Sequence, residues 1–291
     1  MKGNLMRKKL MFMGVLALVL GLASCSGGTQ KKMSANYTPE EVEHANQVLT
    51  YYNTSLALLK NVVVEKDVNA VLGYMEQDGK APKLTAIAPP AFSQKDSAFV
   101  VNPGPYFNEE TRNNLQQNYF QLFQARKQFY SIFDQYLSYL KSNNQAAAAK
   151  LLSANYQLSV EMSEYKENIA DILSPFTDEA QQILLNDNPM KEQLLSMKRM
   201  DATMKSILLL CQRKPSPDVT RLEMKLAKLV IQLDIAKHLP AVEGQPEEMK
   251  SFQSFLDNVE VFIKDIQHIK TKGAYDETDM AMIGEYGMSL N

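Results

Sequence analysis

Between Thr38 and Lys270 the apolar residues recur at steps of three and four, the spacing that lays one stripe along an α-helix. One stripe runs through Leu115, Tyr119, Leu122, Phe123, Phe129, Tyr130, Phe133, Tyr136, Leu137 and Leu140. Others run through Leu194, Met197, Met200, Met204 and Ile207, then Leu222, Leu226, Leu229, Leu233 and Ala236, and finally Phe252, Phe255, Leu256, Val259, Phe262, Ile263, Ile266 and Ile269. A polar cylinder with one apolar stripe must bury that stripe against another element.

Prolines mark where such helices begin. Thr38-Pro39-Glu40-Glu41 offers a hydroxyl cap, proline at the first helical position and a glutamate three residues after the cap. The same grammar recurs at Ser174-Pro175, Asn188-Pro189, Ser216-Pro217-Asp218 and Gln245-Pro246-Glu247-Glu248. Proline costs about 3 kcal/mol inside a helix and little at its first position, so these sites argue for helix starts and against a sheet. The spacing predicts helices over 39–75, 108–142, 145–172, 176–186, 190–213, 217–239 and 247–270. The expected fold is all-α, an elongated antiparallel bundle of about six to seven helices over residues 38–270. Asn143-Asn144 reads as a break; one continuous helix of roughly 60 residues is the alternative, because the stripe nearly keeps phase through it.

Three stretches lack this period. Residues 76–107 hold prolines 82, 89, 90, 103 and 105, five of the twelve in the chain. A connection several times longer than the usual two to eight residues between bundle helices reads either as a recognition surface or as a cap on one end of the core. Its apolar members Ile87, Phe92, Phe99 and Val101 need covering in either case. Ala241–Gln245 is a short turn, and residues 271–291 form a polar tail containing glycine and methionine.

The first 24 residues have their own pattern. Lys2, Arg7, Lys8 and Lys9 precede an apolar run from Leu10 to Leu22, with no acidic residue before Cys25. A basic segment before an apolar run shorter than the roughly 20 residues needed to span a bilayer reads as an export signal. Leu22-Ala23-Ser24-Cys25 resembles the bacterial lipobox, which implies cleavage before Cys25 and acylation of its thiol. Residues 25–37 are small and polar and read as a flexible tether. The absence of Asp after Cys25 points, by the sorting rule of lipoproteins it resembles, to the outer membrane. The neutral-to-basic residues that follow favour its periplasmic face. The expectation is a lipid-anchored envelope protein.

Charge supports this placement only by exclusion. Loss of the signal removes four basic residues and leaves a mature chain near −6, without the basic patch a nucleic-acid partner would demand. Acylation of Cys25 would leave Cys211 as the sole thiol, and its position after Ile207-Leu208-Leu209-Leu210 reads as buried and inert.

The chain lacks a phosphate-binding glycine loop, an HExxH pair, a cysteine-pair metal motif and a nucleophile elbow, so no catalytic residue, enzyme activity or cofactor is assigned. One pattern bears on metals. Glu41 precedes His44 by three residues, and Asp265 precedes His268 by three, the offset that di-metal bundles use. Glu41 is already accounted for as a capping-box partner, so surface ion pairing is the simpler reading of both. His238 reads as closing a helix C-terminus, where a cation is favoured. Met190, Met197, Met200 and Met204 could form an adaptable groove or a soft metal site, but their helical spacing reads as core. The 13 tyrosines, with no tryptophan, could line a sugar-binding cleft or sit at the core boundary.

The lipobox-like cysteine, the short linker and Tyr51-Tyr52-Asn53 in the first helix resemble a family of helical bacterial lipoproteins typified by YiiG. Tyr136-Leu137-Ser138-Tyr139-Leu140-Lys141 also resembles that family, while its acidic and glycine positions are missing around residues 143–149. The resemblance covers most of 38–270 and implies an all-α body and an envelope location, with no activity attached. Two expectations follow. The first is a non-catalytic binding or structural module that meets an envelope protein, a glycan or peptidoglycan. The alternative is a small-ligand or metal-handling bundle in which His44 and His268 serve as ligands.

Overall fold

The computed structural model describes residues 37–77, 89–211 and 218–271. Among these residues the elements are all helical: α1 Pro39–Val62, α2 Glu65–Glu76, α3 Gln94–Val100, α4 Glu109–Lys141, α5 Gln145–Ala149, α6 Leu151–Leu184, α7 Lys191–Cys211, α8 Val219–Lys237 and α9 Pro246–Thr271. The all-α expectation is met. The single helical region expected over 38–270 divides into two compact units, one holding Pro39–Leu184 and the other holding α7, α8 and α9. Each unit closes its own apolar cluster, and that is the physical reason for the division.

In the N-terminal unit, α1, α2, α4 and α6 share one core built around Tyr51, Leu72, Leu115, Tyr119, Phe129 and Ile169. Cross-helix contacts fix the directions. Tyr51 lies level with Phe107, which touches Phe176, while Val63 lies level with Lys166, and Met75 with Tyr136 and Asn155. Helix α6 therefore runs opposite to α1–α2 and to α4. Helices α1–α2 and α4 run the same way. The antiparallel arrangement thus holds for α6 with its neighbours, and the parallel pair explains the long proline-rich connection. A chain that leaves α2 at one end must travel back along the bundle before it can start α4 at the other. Pro90 is level with Val62 and Arg126, Val100 with Tyr51, and Phe107 with Tyr51 and Phe176, so the segment makes this return step by step. Gly104 sits between Pro103 and Pro105, where an added Cβ would collide with the ring of Tyr106.

Three helix boundaries differ from the periodic reading, and the break it placed at Asn143-Asn144 is met. The helix expected over 39–75 stops at Val62 and restarts at Glu65. Three successive β-branched residues, Val62-Val63-Val64, occupy the joint, and Val64 is extended at φ −95°, ψ 101°. The freed carbonyls find cations: Arg126 Nε donates to Val62 O at 2.8 Å and Lys166 Nζ to Val63 O at 3.2 Å. The start expected at Ser174-Pro175 is absent, because Pro175 lies inside α6. Leu173, Thr177 and Ala180 keep the buried stripe in phase across it, and Thr177 Oγ1 donates to Leu173 O and Ser174 O at 3.0 and 2.9 Å. Burial on both sides outweighs the local cost of the ring. The helix break at Asn143-Asn144 is present, with Asn143 at φ 59° and Asn144 accepting a bond from Ala147 N at 3.2 Å. The N-cap of α8 is Asp218, which accepts from Arg221 N at 3.1 Å, so this helix starts later than 217; Ser216 and Pro217 lie outside the described residues.

The C-terminal unit is an assembly of α7, α8 and α9 around Met200, Met204, Ile207, Leu222, Leu229, Val259, Phe262 and Ile266. Helices α7 and α8 are antiparallel, as Gln193 Nε2 donates to Pro240 O at 2.8 Å and Thr203 Oγ1 to Gln232 Oε1 at 3.0 Å. The four methionines singled out in the sequence are all buried here, as core rather than groove. Cys211 is buried at the end of α7. No described helix is long and apolar enough to cross a membrane. The export signal, Cys25 and the tether lie outside the described residues, as does the tail after Thr271.

Candidate binding groove

The metal candidates fall in different compact units. Glu41 and His44 are on α1 and exposed; Asp265 and His268 are on α9 in the other compact unit, with His268 exposed. No group of three or more His, Cys, Asp or Glu among the described residues is arranged to hold a metal ion. His238 is the residue after α8, and its Nδ1 lies 2.7 Å from Asp234 O near the helix end. The aromatic pairs behind the family resemblance are structural. Tyr51 is fully buried and donates to Val100 O at 2.6 Å, and Tyr136 donates to Met75 O at 3.4 Å. Burial holds the Tyr51 phenol well above its ordinary pKa, so the hydroxyl stays a donor.

A concave surface of the N-terminal unit lies where the returning segment meets α4. Ser93 caps α3 by accepting from Asp96 N at 3.1 Å, and Asn108 caps α4 by accepting from Thr111 N at 2.8 Å. Between them, Val101, Asn113, Gln116, Gln117, Phe120 and Phe123 line a groove of about 470 Å³. Gln116 Nε2 donates to Val101 O at 3.2 Å and ties the two walls together. Phe123 stacks flat on Phe92, with centroids 5.6 Å apart and planes 2° from parallel. Arg126 caps that stack at 4.9 Å from the Phe92 ring and 5.4 Å from Tyr130. The same guanidinium donates to Val62 O and to Pro90 O, the latter at 2.5 Å. Burial lowers its affinity for the proton, opposed by the Tyr130 phenol. Phe92 and Arg126 thus fasten the return segment beside the groove.

The lining combines apolar side chains with amides and is uncharged. Phe120 is 56% exposed, an uncommon setting for a phenylalanine on a helix whose other rings are mostly buried. From Asn113 to Ala125 there is no charged side chain, and seven of the residues are Asn or Gln. Amides carry both a donor and an acceptor in one plane, and an exposed ring offers an apolar face. The combination suits a neutral ligand with many hydroxyl or amide groups and provides no counter-charge for an ion.

Sequence reasoning did not pick out Phe120. The available signal was its position off the buried stripe of Leu115, Tyr119, Leu122 and Phe123, inside a stretch where amides replace the usual Glu and Lys. The proline-rich segment is in part the cap on the core that was one of its two expected roles. Val100 and Phe107 are core, whereas Phe99, 38% exposed, and Val101 border open surface; Ile87 lies outside the described residues.

Comparison with known proteins gives the unit boundary a second line of support. The family model of a domain of unknown function, DUF6845, matches residues 39–187, and that of the DUF3829-like C-terminal domain matches residues 189–291. The border between them falls within a few residues of the border between the compact units. An alpha helical protein from Bacteroides fragilis is 55% identical, with a TM-score of 0.82, over 88% of this chain and 100% of its own. An uncharacterized DUF3829-like protein from Bacteroides thetaiotaomicron is 44% identical, with a TM-score of 0.77, over 87% of this chain and 99% of its own. No curated protein matches. None of these descriptions carries the YiiG name or an activity.

Proposed function

We propose, since this chain belongs to the DUF6845 family and carries a DUF3829-like C-terminal domain, that it is a lipid-anchored, non-catalytic binding module of the bacterial envelope whose α3–α4 groove takes an uncharged glycan strand. The lipobox-like Leu22-Ala23-Ser24-Cys25 supports an acyl anchor at Cys25, with 25–37 as the leash, on the periplasmic face of the outer membrane. The finer link to lipoproteins of the YiiG type rests on that cysteine and linker together with Tyr51-Tyr52-Asn53 and Tyr136-Leu137-Ser138-Tyr139-Leu140-Lys141.

The observation that carries the binding role is the exposed Phe120 ring beside the amides of Asn113, Gln116 and Gln117. A pyranose presents an apolar C–H face to stack on a ring and equatorial polar groups for amides to reach. Small-ligand sites are mostly apolar with a few placed polar groups, and the lining has that balance. Peptidoglycan is the neutral-backboned glycan within reach of a periplasmic leash.

The test is co-sedimentation of the full chain with purified peptidoglycan sacculi, with and without a soluble chito-oligosaccharide as competitor. The expected result is pelleting that the competitor reverses and that Phe120→Ala weakens about tenfold, equivalent to about 1.4 kcal/mol. Failure to pellet, or pelleting indifferent to Phe120→Ala, would overturn the glycan assignment. Cys25→Ser checks the anchor separately: the variant should leave the membrane fraction in a high-salt wash, and its retention would contradict lipidation.

A further inference from the structure

Helix α8 is apolar on two opposite sides. Leu222, Leu226, Leu229, Leu233 and Ala236 are buried against α7 and α9. On the other side Met224 is 68% exposed and Ile231 61%. At 100° per residue these two and Ala227, also exposed, centre on the face opposite the buried stripe. Two opposed stripes are the pattern of a helix between two layers, and among the described residues α7 and α9 supply only one of them.

The spacing of the outer face indicates what the second layer is. Thr220, Met224, Ala227 and Ile231 follow one another at steps of four, three and four, the seam along which two helices coil together. The edges of the seam differ. Glu223 and Val230 follow one edge, Lys228 and Ile235 the other, and all four are exposed. In a parallel pair related by a twofold axis, a residue on the first edge of one helix meets the next residue along the second edge of its mate. Glu223 then faces Lys228 of the mate, and Val230 faces Ile235 of the mate. Charge meets opposite charge and apolar meets apolar, and the axis repeats both contacts. An antiparallel pair would instead set each edge against its own copy, lysine edge on lysine edge. An anionic lipid surface would gain from Lys228 and lose by Glu223 and Asp234 on the other flank. A second copy of this chain is the occupant that answers both edges.

The size of the face sets the strength of the pair. A helix of 19 residues is about 28 Å long, and a stripe about 10 Å wide presents on the order of 280 Å². A standard interface takes roughly 800 Å² from each partner, so this pair is a weak one. Asp234, the next seam position, ends the apolar run; its carboxylate lies 3.9 Å from His238 Nδ1.

We propose that α8 is a homodimerisation helix: two copies of the chain pair in parallel along Thr220–Ile231, with Glu223 of each against Lys228 of the other. This rests on α8 and is independent of the glycan groove.

The test is disulfide trapping in the full chain carrying Cys25→Ser, with Thr220→Cys as the probe and Cys211 buried. Parallel pairing brings the two copies of position 220 together, whereas antiparallel pairing about the middle of α8 holds them apart. The expected product under mild oxidation is a dimer linked through position 220, its yield rising with protein concentration. Ile231→Asp should lower that yield about tenfold. Glu223→Lys and Lys228→Glu should each lower it severalfold, and the two together should restore it. All three side chains are exposed, so the circular dichroism spectrum should be unchanged. A chain that stays monomeric, a yield indifferent to Ile231→Asp, or a double reversal that fails to restore pairing would overturn the proposal. Binding of α8 to phosphatidylglycerol vesicles as a monomer would overturn it equally.

Discussion

The two units treat their apolar surface differently. In the N-terminal unit the core is rich in rings, and polar side chains on the long helices reach out to hold backbone: Tyr51 to Val100, Tyr136 to Met75, Arg126 to Val62 and Pro90, Lys166 to Val63. In the C-terminal unit the core is mostly methionine, leucine and isoleucine with three phenylalanines. Six of the eight large exposed apolar side chains among the described residues are in that unit, five of them on α8. The difference follows from topology. A unit with parallel neighbours has a long return segment to pin, and pinning irregular backbone takes hydrogen-bond donors and ring stacks. A unit whose helices follow one another directly has no such segment. Its helix α8 is left with an exposed apolar face, whereas the exposed Phe120 of the N-terminal unit borders a groove.

The first way to break this comparison is to remove the pin. Arg126→Leu should destabilise the N-terminal unit by about 2–4 kcal/mol, because it takes charge-assisted donors from two carbonyls at once. Hydrogen exchange should rise around Val62 and Pro90 and stay unchanged in 219–268. An equal loss of protection in both units would show that they unfold as one. A smaller effect of the opposite sign comes from Pro175→Ala. Restoring the N–H inside α6 should raise stability, by up to about 3 kcal/mol, seen as a higher denaturation midpoint. A lower midpoint would mean that the proline ring itself is needed in the packing. The smallest effect lies in the C-terminal unit. Lys237 bonds Glu260 and its charge sits beside it, which holds that carboxyl below its ordinary pKa. A lowered folded-state pKa gives stability that is present above the ordinary carboxylate value and is lost as pH falls through the lowered one. Lys237→Ala should therefore lower stability slightly at pH 7 and leave it unchanged below the lowered carboxyl pKa, which flattens the acid limb by the same small amount, the pair being at the surface. An unchanged acid limb would remove the pair from the account.

Sequence periodicity made most of the fold legible, and its failures have local causes. Stripes of ten residues such as that on α4 bury one face with no competing signal. The break after Val62 was hidden because three valines satisfy a helical stripe as well as a joint. Pro175 misled because its local rule is strong and the tertiary burial that overrides it is not local. The length of the 76–107 connection was visible, but its cause, the parallel course of α1–α2 and α4, needs contacts 36 to 64 residues apart such as those of Arg126. For the groove, the helical period directed attention to buried positions, and Phe120 was passed over because it is off them. The outer stripe of α8 was likewise masked by the stronger leucine stripe behind it.

The exposed Phe120 ring is the centre of the binding role proposed for the N-terminal unit. A photoreactive residue placed at Phe120 of the full chain, irradiated in the presence of peptidoglycan sacculi, tests that role most directly. The expected product is glycan joined covalently to the probe. A Phe120 probe that reacts only with its own chain would contradict the assignment.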